Sequence, residues 1–267
     1  MTWFLSTLQR AKPLLGTMVE IRAEGLEPEA LNDAISRAFA AIEQVHQSMS
    51  QQLPESELSR LNRAPLMQVI EVSKHFTNVL TEARELASLS AGAFQPCLAN
   101  AQSRNIQDID VIGQGLVRRQ LDVKVDLDGI AKGYAVDCAL EELQARGVSE
   151  AMVNAGGDMR CFGSETCQAF IRDPAHPHAS GAVVQLHNEA LATSASYETS
   201  EAGQALPVSA HWKGCWSVSV VAPRAIHADA LTKVVLMLPP GESEKLLSRY
   251  RAHCLRLGDL SGVSLAA

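Results

Sequence analysis

Apolar residues recur every three or four positions in two stretches of the chain, which predicts two amphipathic helices. The first helix covers residues 28–49, where the apolar positions are Leu31, Ile35, Phe39, Ile42, Val45 and Met49. The second helix covers residues 73–90, with Ser73 as its N-terminal cap and Gly92 just beyond its end. Both helices should therefore pack one face against a core.

Shorter runs with alternating or continuous apolar character predict β-strands. One strand is predicted at residues 13–23 (PLLGTMVEIRA), with Gly16 as a point of close approach for backbone or ligand. Further strands are predicted at residues 151–155, 159–162, 168–172, 182–187, 190–193 and 215–222. After the last of these strands, a helix is predicted at residues 225–238. The order of these elements favours an α+β fold in which helices pack on antiparallel sheets.

Two connections separate these elements. Residues 49–62 (MSQQLPESELSRLN) predict a loop around Pro54 that leads to a short helical turn at residues 56–61. Residues 100–120 predict a connection with a short helix, and its paired arginines, Arg118 and Arg119, are expected on a solvated face.

The most informative stretch is residues 125–137, VDLDGIAKGYAVD. An apolar strand ends on Asp126, a turn containing Gly129 follows, and a helix then opens with Lys132 and runs to Gly147. Backbone N–H groups and an ammonium at a helix N-terminus suit an anionic ligand. This stretch therefore predicts phosphate chemistry.

Two other stretches carry candidate chemistry. Asp229 and Thr232 lie three residues apart near the start of the last predicted helix. They could supply oxygen ligands to Mg²⁺, or Asp229 could simply be a favourable partner of the helix dipole. The NAGGD sequence at residues 154–158 fits either a tight hairpin or a close approach to a ligand.

Composition limits these interpretations. The chain has 267 residues, of which 46% are hydrophobic, enough for one domain over residues 1–267, with two closely packed subdomains as the alternative. The net charge of −7 argues against a nucleic-acid partner. The six cysteines lack paired spacings and are expected to be buried in a reducing compartment. No apolar run reaches the ~18 residues of a membrane span. A cytoplasmic location is expected because no signal peptide is evident, or a periplasmic one if a leader was removed.

Several motifs in order resemble the ApbE-type FAD:protein FMN transferases. They are LLGT at residues 14–17, MS followed by SELSRLN, AGAFQP at residues 91–96, VDLDGIAKGYAVD, VNAGGD, ATSASY at residues 192–197 and HADALTK at residues 227–233. The resemblance implies an ApbE-like (T-fold-like) α+β fold. It also implies an enzyme that uses Mg²⁺, cleaves FAD as its substrate, transfers FMN to a Thr or Ser hydroxyl of a target protein and releases AMP.

The resemblance also implies roles for individual residues. As metal ligands it implies Gly129 (through its carbonyl), Asp229 and Thr232. As contacts to the flavin nucleotide it implies Leu15, Gln52, Ala93, Phe94, Gln95, Asp126 and Lys132. Asp137, Asp158 and the NAGGD glycines are expected to shape the pocket. His211 is the candidate catalytic residue, standing in for a histidine that the family carries nearby.

The chain departs from the family's pattern at several of these positions. Gln52 stands where an aromatic residue or histidine is common, Gln95 replaces an acid, and Asp128 replaces a small residue. Lys233 stands where many members carry a second metal-binding hydroxyl, and an ammonium cannot ligate Mg²⁺. Residues 197–217 lack the usual histidine, Asp-Pro and Thr-Gly sequence. Two alternatives therefore stay open: an FAD pyrophosphatase that gives FMN and AMP, and a non-catalytic flavin-binding relative.

Overall fold

A computed structural model describes residues 6–98, 101–113, 115–176, 178–196 and 212–260. Its helices are α1 (Pro28–Met49), α2 (Glu57–Arg63), α3 (Lys74–Leu89), α4 (Ala131–Ala145), α5 (Ala225–Met237) and α6 (Pro240–Arg249). Its strands are β1 (Ser6–Leu14), β2 (Thr17–Leu26), β3 (Ile70–Glu71), β4 (Ile109–Val111), β5 (Leu116–Arg119), β6 (Glu150–Ala155), β7 (Asp158–Phe162), β8 (Cys167–Arg172), β9 (Ser180–Leu186), β10 (Ala190–Ala195), β11 (Trp212–Ala222) and β12 (His253–Leu260).

The strands form three antiparallel sheets. The largest has seven strands in the order β1-β2-β6-β7-β10-β11-β12, and the others are β3-β5-β4 and the hairpin β8-β9. Helices α1, α4 and α5 pack on the large sheet, with α4 in contact with both of its neighbours. The predicted α+β fold of helices on antiparallel sheets is confirmed.

One apolar core connects these layers. It includes Val19 and Val218 on the large sheet, Phe76 on α3, and Val117 on the small sheet. Helix α4 is buried at every position from Gly133 to Leu140, because it is covered by α1, α5 and the sheet. This central position explains why the sequence of α4 lacks the polar face of a surface helix.

Several predicted elements are confirmed. The first predicted helix coincides with α1, and the Ser73 hydroxyl accepts a hydrogen bond from Phe76 N at the start of α3, as expected for an N-terminal cap. Residues 154–158 form the β6–β7 hairpin, in which Gly156 and Gly157 have φ values of +66° and +108°.

Two predictions about the strands are wrong. Residues 13–23 are not one strand, because Leu15 and Gly16, with φ of +55° and +72°, form a tight turn between β1 and β2. Two consecutive positive φ values are the requirement of a type I′ hairpin turn. Residues 100–120 contain a short 3-10 helix, as predicted, but they also carry the unpredicted strands β4 and β5. The elements after residue 238, α6 and β12, were not predicted either.

The expectation that both arginines face solvent is also wrong. Arg119 is 4% exposed and donates to the carbonyl oxygens of Val123 and Ala64, and it pairs with Asp122 at 3.0 Å. Arg118 is partly exposed and pairs with Asp110 at 2.6 Å. The buried guanidinium thus links segments that are far apart in sequence.

Among the helices that the structure describes, none has both the length and the apolar character needed to cross a bilayer.

Candidate functional site

The segment that leads into α4 is not the predicted strand, since Val125 forms only an isolated bridge with Cys97, and it is fixed by a side chain from α2. The Asn62 amide donates to Val125 O and accepts from Val125 N, both at 2.8 Å, so it binds the backbone of Val125 as a neighbouring strand would. The next residue, Asp126, donates its N–H to Pro96 O at 2.9 Å. The beginning of the predicted phosphate-binding stretch therefore lies between α2 and the turn at residues 93–97.

The turn before α4 is closed by its own carboxylate. Asp126 Oδ1 accepts a hydrogen bond from Asp128 N at 3.0 Å, a typical Asx turn. Helix α4 then begins at Ala131, and its N-cap residue, Ile130, has no side chain that can accept a hydrogen bond. Lys132 is thereby placed in the first turn of α4, as predicted.

Lys132 forms an ion pair with Asp158, the first residue after the Gly156–Gly157 turn. The Lys132 ammonium lies 3.1 Å from Asp158 Oδ2. Asp158 is 2% exposed, and burial raises the pKa of its carboxyl, while the charge of Lys132 opposes that rise. The NAGGD turn thus brings a buried acid to the start of α4.

Helix α5 brings a second buried acid to the same place. Asp229 has no exposed surface; its Oδ2 accepts a hydrogen bond from Gly133 N at 3.1 Å, and its Oδ1 lies 2.6 Å from the Lys233 ammonium. This approach needs a glycine, because a Cβ on Gly133 would lie 2.2 Å from Ala225 O. The two helices therefore meet backbone to backbone at the site.

Asp137, further along α4, holds the N-terminus of α5. Its carboxylate accepts hydrogen bonds from the backbone N–H groups of Ala225 at 2.9 Å and Ile226 at 3.1 Å. It also pairs with Arg160 at 2.7 Å and Arg224 at 3.5 Å. A buried carboxylate at this end of a helix is stabilised by the helix dipole.

Six charged residues therefore converge where the first turns of α4 and α5 meet. We call this set the acid–lysine cluster, and its members are Asp126, Asp128, Lys132, Asp158, Asp229 and Lys233. Burial raises the pKa of Asp128, and the charges of Asp126 and Asp229 add to that rise. Asp128 and Asp158 each interact with both lysines and with Asp229, so the cluster is one electrostatic unit.

Other residues implied by the resemblance lie around this cluster. Phe94, in the turn at residues 93–95, is 3% exposed, and the Gln95 side chain accepts a hydrogen bond from Ile106 N at 3.1 Å. This turn lies against Asp126 through the Pro96 carbonyl. Leu15 lies in the β1–β2 turn, next to the NAGGD hairpin: a Cβ on Gly156 would lie 2.4 Å from Thr17 Oγ1.

Of the remaining implied residues, one lies away from the cluster and one is not described by the structure. Gln52 is exposed and accepts a hydrogen bond from Ser50 Oγ within its own loop. His211, the candidate catalytic residue, lies outside the described residues. Their roles, like those of the other implied contacts, stay predictions.

The three implied metal ligands do not form an open set of oxygen donors. Both carboxylate oxygens of Asp229 are already bonded. The Thr232 hydroxyl donates to Asp229 O at 2.7 Å and contacts Ser194 Oγ at 2.9 Å, toward β10. The Lys233 side chain covers Gly129, where a Cβ would lie 3.4 Å from Lys233 Cε. Mg²⁺, which requires near-octahedral oxygen coordination, does not fit these residues as they stand.

Comparison with known proteins places this chain in a family. The model of the ApbE family matches residues 15–104 and 95–255, and the chain belongs to that family. Its likeness to solved structures confirms the ApbE fold: the Pseudomonas stutzeri flavinyl transferase ApbE in its apo form has a TM-score of 0.77 at 20% identity, covering 95% of this chain and 92% of that one. The ApbE protein of Thermotoga maritima has a TM-score of 0.78 at 22% identity, covering 97% and 96%.

Two similar relatives both have the name FAD:protein FMN transferase. The relative from Rhodobacter capsulatus is 29% identical in an alignment 215 residues long, which covers 69% of this chain but only 41% of that protein. The relative from Chlamydia pneumoniae is 27% identical over 262 residues, covering 84% of this chain and 80% of that protein. This chain thus spans about two fifths of the first relative and most of the second.

Sequence reasoning missed two contacts of this site. The contact of Asn62 with Val125 was not predicted, because the two residues are 63 positions apart and no local pattern indicates that they meet. The Lys233–Asp229 ion pair was also not predicted, although their spacing of four residues on a helix was a signal that could have found it.

Proposed function

We propose that this chain is an FAD:protein FMN transferase, which moves the FMN part of FAD to a Thr or Ser hydroxyl of a target protein. The family match and the names of the relatives support the reaction. The observation that carries the proposal is the acid–lysine cluster, because it places two ammonium groups and the N-terminus of α4 beside the turn that the resemblance assigns to the nucleotide.

The chemistry is the transfer of one phosphoryl group. The target hydroxyl oxygen forms a bond to the FMN phosphorus, the P–O–P bond of FAD breaks, AMP leaves with the bridging oxygen, and the hydroxyl proton is released. Such transfers depend mainly on positioning and on positive charge near the phosphate oxygens.

Residues of this chain can meet these needs. The Lys132 ammonium, in the first turn of α4, can bind phosphate oxygens. Asp158 holds the Lys132 side chain in place, and the turn at residues 93–95 lies beside Asp126 for the flavin nucleotide. Mg²⁺ stays a prediction from the resemblance, and the two lysines supply positive charge without it.

A transfer assay tests this proposal. The purified chain is incubated with FAD and a bacterial extract, and the proteins are then denatured, separated and examined for covalent flavin fluorescence. We expect a fluorescent protein band that depends on the added chain, with FMN located on a Thr or Ser by peptide mass analysis and AMP released in equal amount.

Variants locate the reaction in the cluster. Lys132→Met should lower the yield of flavinylated protein by about tenfold or more, since a hydrogen bond to a charged group contributes about 1.5 to 3 kcal/mol. Lys245→Met, at an exposed position of α6, is the matched control and should leave the yield unchanged. Free FMN and AMP without protein-bound flavin would instead show an FAD pyrophosphatase, and no turnover despite FAD binding would show a non-catalytic relative.

A further inference from the structure

Lys233 occupies the place where a metal ion would bind Asp229. Its ammonium is 2.6 Å from Asp229 Oδ1, and its side chain passes over Gly129. Two residues that the resemblance implies as metal ligands are thus both in contact with one lysine. We propose that the Lys233 ammonium is the resident cation of this site and takes the place of a divalent metal ion on Asp229.

The geometry leaves no room for both cations. Mg²⁺ binds oxygen at about 2.0 to 2.1 Å, so an ion on Asp229 Oδ1 from the side of Lys233 would overlap the ammonium. The other oxygen accepts the Gly133 N–H and faces the contact between α4 and α5. Because Asp229 has no exposed surface, a metal ion reaches its carboxylate only by displacing the lysine.

Charge balance supports the same conclusion. An isolated buried carboxylate is costly, and Asp229 is compensated by Lys233 through a contact within one turn of helix. Two like charges within a few ångströms repel each other strongly in a buried site, so the ammonium also opposes entry of Mg²⁺. The ion pair therefore stabilises the folded chain and excludes the metal with the same contact.

The lysine can also serve the substrate. Its side chain is 21% exposed, whereas Asp229 is fully covered, so the exposed part of the pair is the cation. This step rests on the proposed function: the exposed ammonium of Lys233 then joins that of Lys132 as a positive charge that faces the FAD phosphates. Binding of FAD should then be independent of divalent metal.

Direct metal binding tests this inference without any turnover. Titration of the apo wild-type chain with Mn²⁺, followed by electron paramagnetic resonance, should show no saturable ion that depends on Asp229. Asp229→Asn should therefore give the same titration as wild type. Saturable binding of one Mn²⁺ by wild type that is lost in Asp229→Asn would overturn the inference. An ion that both proteins bind equally does not use Asp229, and this outcome would support the Lys233–Asp229 pair.

Substitution of Lys233 gives a second test. Lys233→Thr should gain Mn²⁺ binding, and its affinity for FAD in EDTA should fall about 10- to 100-fold, as expected for loss of a hydrogen bond to a charged group, with recovery on addition of Mg²⁺. Lys233→Arg retains a cation and should stay independent of metal. Lys245→Thr is the matched control.

FAD binding with and without Mg²⁺, together with the transfer assay, also distinguishes the two proposals. If wild type binds FAD equally well in EDTA and in Mg²⁺ but never transfers FMN, the proposed function fails and the assignment of Lys233 stands. If transfer occurs only with Mg²⁺, and the metal binding that supports it requires Asp229, the function stands and the assignment of Lys233 fails.

Discussion

Asp137 shows how one side chain can determine the position of a site that it does not enter. It is fully buried on α4, and its carboxylate binds two backbone N–H groups of α5 and two arginines. The helix that it caps carries both Asp229 and Lys233. The acid–lysine cluster therefore depends on a contact one helical turn away from it.

Replacement of this residue tests that dependence. Asp137→Asn should lower the free energy of unfolding by about 3 kcal/mol, because it breaks a buried charge pair and leaves Arg160 uncompensated. Urea unfolding measures the loss. Asp33→Asn is the control, since Asp33 is 58% exposed and its pairs with Arg37 and Arg146 should contribute less than about 1 kcal/mol. An equal loss in both variants would contradict the role given to Asp137.

Among the elements, α4 and α5 come into direct contact at Gly133. Its N–H reaches Asp229 Oδ2, and it has no side chain to separate the two helices. Any larger residue would meet the Ala225 carbonyl and the Asp229 side chain. The close contact of two helices is thus part of how Asp229 is buried.

Gly133→Ala should therefore destabilise the chain although alanine is the better helix former. A Cβ at 2.2 Å from Ala225 O must push the helices apart, and overpacking of this kind costs about 1 to 3 kcal/mol. Gly241→Ala makes the matched change in α6, where a Cβ would have no neighbour within 4 Å, and should be neutral or stabilising by up to about 1 kcal/mol. The two variants should shift the thermal midpoint in opposite directions; a shift in the same direction would refute the steric argument.

The long helices were predictable because their apolar spacing is local. Helix α1 matches its predicted range, and Ser73 caps α3 as expected. The β1–β2 turn was missed because Leu15 adopts a positive φ that its side chain does not favour, so no turn sequence marked it. Strands β4 and β5 are only three and four residues long, too short for an alternating pattern to stand out.

The site was predictable in part for the same reason. Residues 125–137 carry a turn and the start of a helix within one stretch, so the positions of Asp126 before the turn and of Lys132 in the first turn of α4 were predicted. The ion pair of Lys132 with Asp158 joins residues 26 positions apart, and only the folded chain brings them together. Arg119 was wrongly predicted to face solvent because its hydrogen-bond acceptors, the carbonyl groups of Val123 and Ala64, come close to it only in the folded chain.

At the scale of the whole molecule, polar contacts connect the helix beside the small sheet to the helices on the large one. Glu82 on α3 lies 3.2 Å from His227 Nε2 and 3.6 Å from Arg224 Nη1, both at the start of α5. The hydrogen bond with His227 lowers the pKa of Glu82, and the charges of His227 and Arg224 add to this effect. Arg224 also reaches Asp137, so this link continues to α4.

This link makes part of the stability depend on pH. A carboxyl whose pKa is lower in the folded chain than its ordinary value of 4.5 stabilises the fold fully above that value, and the contribution is lost as the pH falls through the lowered one. Between about pH 6 and pH 3, wild type should therefore lose more unfolding free energy than Glu82→Gln, by under about 1 kcal/mol for a partly exposed pair. Glu85→Gln, an exposed position on the same helix, should follow wild type in urea unfolding at each pH. If Glu82→Gln also followed wild type, the contact between α3 and α5 would contribute nothing to stability, and apolar packing alone would hold the two parts of the fold together.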